Sequence, residues 1–302
     1  MTEHIPWFDA PDALAQIPIR ARDDVALAEP ADLARTFIVE GVATIPALID
    51  SAHCDAVSAA FDQFVAEHPE YAAQHADGTG RHLRFVNLHL VCPEALRMGN
   101  APRLARILDF LFGAPTGIYT SLFFEFGSEQ PMHRDSPFFH TYPKNQFVGC
   151  WVALEDIHPD AGPLMYAPGG HRFVVDQRAL FERVVRDHPD QSRDWCIRQA
   201  VEVYYGTIIQ GAGAFGTPRT LPVRKGDAVI WHPELPHGGA PARDPQRTRK
   251  SIVFHCAPIG VQVHQHEAFF TADAAPPARY GYGGFGDRQY ALAGASGFQV
   301  PA

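Results

Sequence analysis

The chain has 302 residues, a hydrophobic fraction of 46% and a formal net charge of −9. This length and apolar content are enough for one substantial core, so we predict a single domain over residues 1–302. The acidic balance, without a basic tract, argues against nucleic acid or a membrane surface as partner and favours a small-molecule substrate. No targeting segment or long apolar run is present, which predicts a cytoplasmic protein and leaves the oligomeric state open.

The first part of the chain, about residues 1–115, is predicted to be mainly helical and to pack outside a β-rich core. Its predicted elements are a helix over residues 32–40 that Gly41 ends, a short strand over 42–46, a helix begun by Asp50, a half-buried strand over 82–91, and a helix over 102–112 closed by Gly113.

The second part of the chain is predicted to contain most of the sheet. Strands are expected over residues 118–126, from Trp151 onward, over 201–210 and over 228–231, with one helix over 176–187. The insertion between Asp135 and His237 is expected to lie over the mouth of a barrel as a lid. Residues 276–302, which are rich in glycine and tyrosine, are expected to form a loose tail.

The pattern His-x-Asp occurs five times, so its spacing alone has little specificity. His53 and Asp55 fall in a helical pattern, where positions two apart point away from each other. His133 and Asp135 instead follow the β-prone run 118–126, an arrangement that directs both side chains into a barrel mouth. The remaining pairs fit polar stretches and turns: His75 with Asp77, His158 with Asp160 and His188 with Asp190.

His237 is the candidate for a third ligand beside His133 and Asp135. It precedes two glycines, which let the backbone come close to a bound ligand. Two imidazoles and one carboxylate are the ligand set that holds non-haem Fe(II) and leaves three positions open for a co-substrate and O2. His232 is the rival third ligand, and His264 and His266 are expected to be surface residues without a metal.

The segment from about Tyr119 to Pro258 resembles the phytanoyl-CoA dioxygenase family of Fe(II)/2-oxoglutarate oxygenases. Four blocks in the family's order carry the resemblance: HRDSPFF, WVALEDIHPDAGPLMYAPGGHR, GDAVIWHPELPHGG and RKSIVFH. The resemblance implies a mainly β protein with flanking helices, whose core over about residues 117–258 is a double-stranded β-helix of the jelly-roll, cupin-like type. It also implies Fe(II) on His133, Asp135 and His237.

The resemblance further implies that an arginine on the strand after the distal histidine holds the far carboxylate of 2-oxoglutarate. Arg249 matches this position best and Arg247 is the alternative, because a buried dicarboxylate needs a planar bidentate donor. Trp151 matches a position that lines the cosubstrate pocket, and Arg84 lies in a region that contacts ligands. Family members often carry a hydroxyl residue where this chain has Gly239.

These features together predict an Fe(II)- and 2-oxoglutarate-dependent dioxygenase that uses O2 to hydroxylate a small or medium-sized metabolite. Asp135 argues against halogenation, because related halogenases have a small residue in its place. Two alternatives stay open: a catalytically silent ligand-binding barrel, and a cupin-like enzyme that uses another metal without 2-oxoglutarate. The substrate is not identified, and desaturation or cyclisation also remains open; Phe138, Phe139, Tyr142 and Phe147 are candidates for pocket or core positions.

Overall fold

The structure is a computed structural model that describes residues 5–22, 24–78, 80–81, 84–264, 266–272, 274 and 280–292. Its α-helices are α1 Ala13–Ala21, α2 Ala28–Glu40, α3 Ser51–Glu67, α4 Pro69–Gln74, α5 Pro93–Gly99, α6 Pro102–Phe112, α7 Gln177–Asp187, α8 Arg193–Ala212 and α9 His266–Phe270. In the described part of the chain, none of these helices combines the length and apolarity needed to cross a bilayer.

The strands form one large sheet, one small sheet and a two-stranded pair. In chain order they are β1 Val42–Ile45, β2 Phe85–Val86, β3 Thr116–Phe124, β4 His140–Thr141, β5 Val148–Ala153, β6 Leu164–Tyr166, β7 Arg219–Thr220, β8 Ala228–Trp231, β9 His237–Gly239, β10 Ser251–Pro258, β11 Val263–His264, β12 Tyr282–Phe285 and β13 Arg288–Ala291. The large sheet has the order β1-β8-β5-β10-β3-β13-β12, the small sheet β7-β6-β9, and β11 pairs with β4.

The large sheet separates two hydrophobic layers, as the alternation along β5 shows. Cys150 and Val152 point towards the N-terminal helices and belong to the largest apolar cluster. Trp151 and Ala153 point the other way and pack with Leu164 of the small sheet. Because successive strand residues face opposite sides, one strand supplies both layers. The candidate site lies on the inner face, between the two sheets.

Several predicted elements match the structure closely. Helix α6 covers the predicted residues and ends at Gly113, which adopts φ +67°, and α2 ends at Gly41 with φ +78°. Asp50 accepts a hydrogen bond from the backbone N–H of His53 and so caps α3. These boundaries were predictable because caps and glycine stops act within one turn of helix.

Three predictions for individual elements were wrong. Residues 201–210 belong to α8, because Val201, Tyr204 and Ile208 recur at helical spacing and pack into one cluster with α7. The predicted strand over 82–91 is reduced, in its described part, to Phe85–Val86 and a 3-10 turn at Leu88–Leu90. The N-terminal part is also not wholly outside the sheet, since β1 pairs with β8.

The C-terminal tail was predicted to be loose over residues 276–302, and this was wrong for its described part. Residues 282–291 form the hairpin β12–β13, which joins the large sheet where Tyr290 pairs with Ile118. Arg288 anchors the hairpin by two hydrogen bonds to Asp109, at 2.6 and 2.9 Å. The rest of the predicted tail, residues 276–279 and 293–302, lies outside the described residues.

Candidate metal centre and adjoining cavity

His133, Asp135 and His237 converge at the mouth of the inner layer. The Nε2 atoms of His133 and His237 each lie 3.7 Å from Oδ1 of Asp135. Candidate ligand atoms of the three residues lie within 4.8 Å of one another, and among the described residues this is the one such group of three or more. The backbone brings them together, since His133 and His237 exchange two N–H···O bonds of 2.9 and 3.0 Å.

Each of the two histidines is oriented by a carbonyl two residues before it. Nδ1 of His133 is 2.9 Å from the Pro131 carbonyl, and Nδ1 of His237 is 2.9 Å from the Leu235 carbonyl. An imidazole that donates from Nδ1 presents the Nε2 lone pair, which here faces Asp135. The three side chains therefore offer two nitrogens and one oxygen to a single point.

Burial and neighbouring side chains set the protonation states of His133 and Asp135. Burial lowers the pKa of His133 to about 4, and the neighbouring His237 also lowers it. Burial by itself would raise the pKa of the Asp135 carboxyl, but His237, His255 and His133 lower it below its usual range. At neutral pH His133 is therefore neutral and Asp135 ionised, as metal coordination requires.

The rival third ligand, His232, and the histidines of two other His-x-Asp pairs lie elsewhere. His232 points away from the group, and its Nε2 contacts Asp9 Oδ1 at 2.9 Å. Its ring also packs edge-on against Phe8. Nε2 of His53 on α3 is 2.8 Å from the Glu94 carbonyl, and His158 pairs with Asp160 in a turn.

A cavity of about 320 Å³ adjoins the three residues, and Arg249 lies in its wall. The Arg249 side chain is 3% exposed. Nη1 donates to the Gly162 carbonyl at 3.1 Å, whereas Nε has no partner among the described residues. Burial lowers the pKa of Arg249 to about 10, so the guanidinium remains charged at neutral pH.

No carboxylate of the described residues forms an ion pair with Arg249, which is unusual for a buried cation. Its guanidinium lies between the rings of Phe124 and Trp151, at 5.8 and 5.7 Å. The arrangement fits an anion that enters the cavity. Arg247, the alternative, is half exposed and pairs with Asp244 at 3.1 Å.

Trp151 and Arg84 also line this cavity, at very different depths. Trp151 is 1% exposed, and its indole N–H has no partner among the described residues. Arg84 is exposed at the rim, just before β2. The structure thus brings both residues to the cavity that contains the candidate ligands.

Gly239 lies where the backbone of a neighbouring loop leaves no room for a side chain. A Cβ at this position would be 2.8 Å from the Glu129 nitrogen and 2.9 Å from Ser128 Oγ. Ser128 itself lines the cavity. The chain thus has a hydroxyl beside Gly239, although it comes from a residue more than a hundred positions earlier.

Sequence reasoning missed Trp231, His255 and His266, which all line the cavity. The sequence did contain a signal for His255. It lies an even number of positions after Arg249 and Val253, and such positions share one strand face. His266 packs edge-on against Phe138 and was expected at the surface. No local signal distinguished it, since it follows the last core strand.

Of the four candidate aromatic residues, two reach the cavity. Phe138 and Phe139 line it, together with Tyr119. Tyr142 is exposed, with its hydroxyl 3.1 Å from the Ala268 carbonyl, and Phe147 is buried in the core. Helix α8 flanks the same mouth, where Tyr205 stacks on Phe138 and meets the His133 ring edge-on.

The phytanoyl-CoA dioxygenase (PhyH) family profile matches residues 37–251, which is more than half of the chain. The chain belongs to the phytanoyl-CoA dioxygenase family. Phytanoyl-CoA dioxygenase domain-containing protein 1 of Danio rerio is 27% identical over 178 residues, 56% of this chain and 54% of that protein. The peroxisomal phytanoyl-CoA dioxygenase of Rattus norvegicus is 31% identical over 128 residues, 42% of this chain and 33% of that protein.

The matches to these family members cover about half of their length or less. The domain-containing protein 1 of Mus musculus, for example, is 30% identical over 112 residues, 37% of this chain and 34% of that protein. The match therefore supports family membership and does not transfer a substrate.

Solved structures of similar fold confirm the predicted double-stranded β-helix core. The non-haem α-ketoglutarate-dependent carbocyclase SnoK, from nogalamycin biosynthesis, aligns with a TM-score of 0.60 and 17% identity, over 81% of this chain and 90% of that one. EctD from S. alaskensis with 2-oxoglutarate and 5-hydroxyectoine aligns with a TM-score of 0.59 and 17% identity, over 84% and 83%. The large mixed sheet with flanking helices is the same architecture.

Proposed function

We propose that this protein is an Fe(II)- and 2-oxoglutarate-dependent dioxygenase that hydroxylates a small or medium-sized metabolite. One observation carries the proposal: a His-Asp-His group and a buried arginine without a carboxylate partner line the same cavity. The His-Asp-His group is the ligand set that non-haem iron requires, and the buried arginine is the donor that a dicarboxylate requires. The family names and the ligands in the related structures point the same way.

In this proposal His133, Asp135 and His237 hold Fe(II). Three ligands on one face leave the remaining positions to the cosubstrate and O2. The bound metal with 2-oxoglutarate supplies oxidative decarboxylation to succinate and CO2 and activates O2 for attack on a substrate C–H bond. The chain itself binds and orients the reactants and keeps water away from them.

Arg249 binds the distal carboxylate of 2-oxoglutarate in this proposal. Its unpartnered Nε and its planar guanidinium can donate two parallel hydrogen bonds, and the flanking rings of Trp151 and Phe124 limit its movement. A charged ligand compensates the cost of burying this cation.

Ser128 and Arg84 have secondary roles on the cosubstrate side of the cavity. We assign to the Ser128 hydroxyl, which lies beside Gly239, the contact that a hydroxyl residue at position 239 would make. Arg84 at the exposed rim adds positive charge for an incoming dianion, an effect that solvent weakens.

The substrate end of the cavity is formed by Tyr119, Phe138 and Phe139 beside His266. Aromatic walls with few polar atoms fit a small organic molecule that presents a C–H bond near Asp135 and the two histidines. Asp135 occupies a coordination position that a halide would need, which favours hydroxylation. We propose that residues 1–302 act as one domain in the cytoplasm, with no nucleic-acid or membrane partner.

The decisive experiment measures succinate released from 2-oxoglutarate by the purified protein with Fe(II), in the presence of a metabolite library. The proposal expects release that depends on Fe(II) and rises with particular library members. Binding of metabolites without succinate release would favour a silent ligand-binding barrel. Turnover that needs Mn or Zn and no 2-oxoglutarate would favour the cupin-like alternative.

A further inference from the structure

The two oxygens of Asp135 lie in different surroundings. Oδ1 faces the Nε2 atoms of His133 and His237, at 3.7 Å each. Oδ2 accepts a 2.8 Å hydrogen bond from Nε1 of Trp231 and lies 3.4 Å from Nε2 of His255. One oxygen is thus free for a metal, while the other is held by the chain.

We propose that Trp231 and His255 are positioning residues that keep Asp135 a monodentate metal ligand; this inference rests on the metal centre of the proposed function. A carboxylate can bind a metal through one oxygen or both. If Oδ2 were released, it could rotate onto the ion and occupy one of the positions that the cosubstrate and O2 need. The Trp231 hydrogen bond, with the His255 imidazole beside the same oxygen, opposes this rotation and satisfies the buried oxygen.

The strand register builds this arrangement. Trp231 on β8 pairs with Gly149 on β5, and Gly149 pairs with His255 on β10, so the three residues form one row across the sheet. A Cβ at Gly149 would collide with the Trp231 indole. The glycine therefore leaves the space through which the indole reaches Asp135.

Aromatic contacts fix the Trp231 and His255 side chains in place. The Trp231 ring packs 4.6 Å from the His237 ring, so it contacts two of the three candidate ligands. The His255 ring stacks on Phe139 at 4.2 Å, and the Phe139 N–H donates to the Asp135 carbonyl at 3.0 Å. Trp231 and His255 are both buried, at 3% and 2% exposure.

The experiment titrates Co(II) alone into the metal-free protein and follows visible absorption, which responds to the coordination number of the ion. The main variant is Trp231→Phe, which keeps a ring and removes the N–H. We expect its Co(II) dissociation constant to rise about 10- to 100-fold, with a changed spectrum, because loss of a group that orients a ligand commonly has this effect. We also expect weaker 2-oxoglutarate binding to the Co(II)-loaded variant.

Trp7→Phe is the matched control. Its Nε1 donates to the Leu111 carbonyl from a buried position on the other face of the sheet, so this variant loses the same kind of hydrogen bond far from Asp135. It should keep the wild-type Co(II) constant and spectrum, although it loses stability.

A second pair of variants tests His255 and guards against misfolding of Trp231→Phe. His255→Leu should weaken Co(II) binding, and His255→Gln should restore part of it, because glutamine keeps an N–H donor of similar reach. If Trp231→Phe and His255→Leu both kept the wild-type Co(II) spectrum and dissociation constant, this inference would be overturned, whereas the proposed metal centre would stand. A wild-type protein that binds no Co(II) would overturn the proposed metal centre and this inference with it.

Discussion

At the scale of single residues, His232 and His237 show how neighbouring histidines take different tasks. They are five positions apart, but His237 faces Asp135 at 3.7 Å and His232 faces Asp9 at 2.9 Å. Proline at 233 and at 236 directs the chain between them. The difference in surroundings predicts a difference in metal binding.

We expect His237→Ala to abolish 2-oxoglutarate turnover and to weaken Fe(II) binding strongly, because one of three ligands is lost. His232→Ala should keep Fe(II) affinity within a few-fold of wild type. Anaerobic Fe(II) titration of both variants, with circular dichroism as a check of folding, makes the comparison. The opposite ranking would assign the third ligand to His232.

Arg249 and Arg247 give a second matched pair. Removing one partner of a buried charged pair costs about 3 to 5 kcal/mol, so Arg249→Ala should raise the apparent 2-oxoglutarate constant at least 100-fold. Arg247→Ala removes only a half-exposed pair with Asp244 and should leave the constant unchanged. Steady-state kinetics at varied 2-oxoglutarate concentration provide the measurement. If only Arg247→Ala weakened 2-oxoglutarate binding, the carboxylate contact would be assigned to Arg247.

At the scale of secondary-structure elements, the β12–β13 hairpin extends the large sheet beside β3. Its anchor is Arg288, which contacts Asp109 on α6 and the Thr116 carbonyl at the start of β3. A Cβ at Gly117 would collide with the Gln289 carbonyl, so the glycine allows this close approach. The hairpin therefore depends on contacts with two distant elements.

We expect Arg288→Ala to increase amide hydrogen exchange across residues 282–291, because the hairpin loses the four hydrogen bonds that Arg288 donates to Asp109 and Thr116. Exchange in β5 and β8 should stay as in wild type, since these strands do not contact Arg288. Exchange measured by mass spectrometry on peptides from both regions provides the test. Equal protection of the hairpin in both proteins would show that the strand pairing alone holds it.

A charge network around Glu234 joins helix α8 to the segment that carries His133 and Asp135. Its Oε2 lies 2.9 Å from Arg134 and 3.4 Å from the Tyr204 hydroxyl, and its Oε1 lies 3.0 Å from Lys144. Burial alone would raise the pKa of Glu234, but Lys144 and Arg134 lower it from 4.5 to about 2. The ionised carboxylate therefore stabilises the folded state.

We expect Glu234→Gln to lower the free energy of unfolding by about 3 to 5 kcal/mol at pH 7, because the buried Arg134 and the partly exposed Lys144 lose their partner. Because the pKa of Glu234 is lower in the folded state, its carboxylate stabilises the fold at pH values above 4.5. This stabilisation is lost as the pH falls towards about 2. The gap between variant and wild type should thus shrink from pH 5 downward in urea unfolding. Asp62→Asn, which breaks an exposed pair with Lys250, should cost below about 1 kcal/mol.

At the scale of the whole molecule, the two sheets and the helices around them leave one cavity that joins Arg249, the candidate ligands and the aromatic wall of Phe138 and Phe139. Cosubstrate and substrate would share this space and meet at Asp135. Under the proposed function, the product would depend on which substrate C–H bond the cavity presents near Asp135. If Asp135 binds the metal as we propose, its carboxylate would take the place that a halide would need.

With an identified substrate under 18O2 and excess chloride or bromide, we expect labelled hydroxyl and no halogen in the product, allowing for oxygen exchange with water. Mass spectrometry of the product provides the measurement. A halogenated product from the unmutated protein would contradict the proposed reaction. Desaturation or ring closure would keep hydrogen abstraction and change only the step after it.

The sequence by itself determined those features that depend on local signals. Glycine stops at Gly41 and Gly113 and the cap at Asp50 act within a single turn of helix, so their boundaries were predictable. The candidate ligands were predictable because HRD and LPHGG each carry a distinctive context, and four ordered blocks are far more specific than one triplet.

Only the tertiary structure decided those features that depend on contacts between residues far apart in the chain. The row from Trp231 through Gly149 to His255 follows from the register of three strands, and a shift by one residue would turn each side chain to the other face. Residues 201–210 of α8 were predicted as a strand because their β-branched and aromatic side chains favour strands, whereas packing against α7 and α9 stabilises the helix. Local propensity is weak compared with burial, and burial is decided by the whole fold.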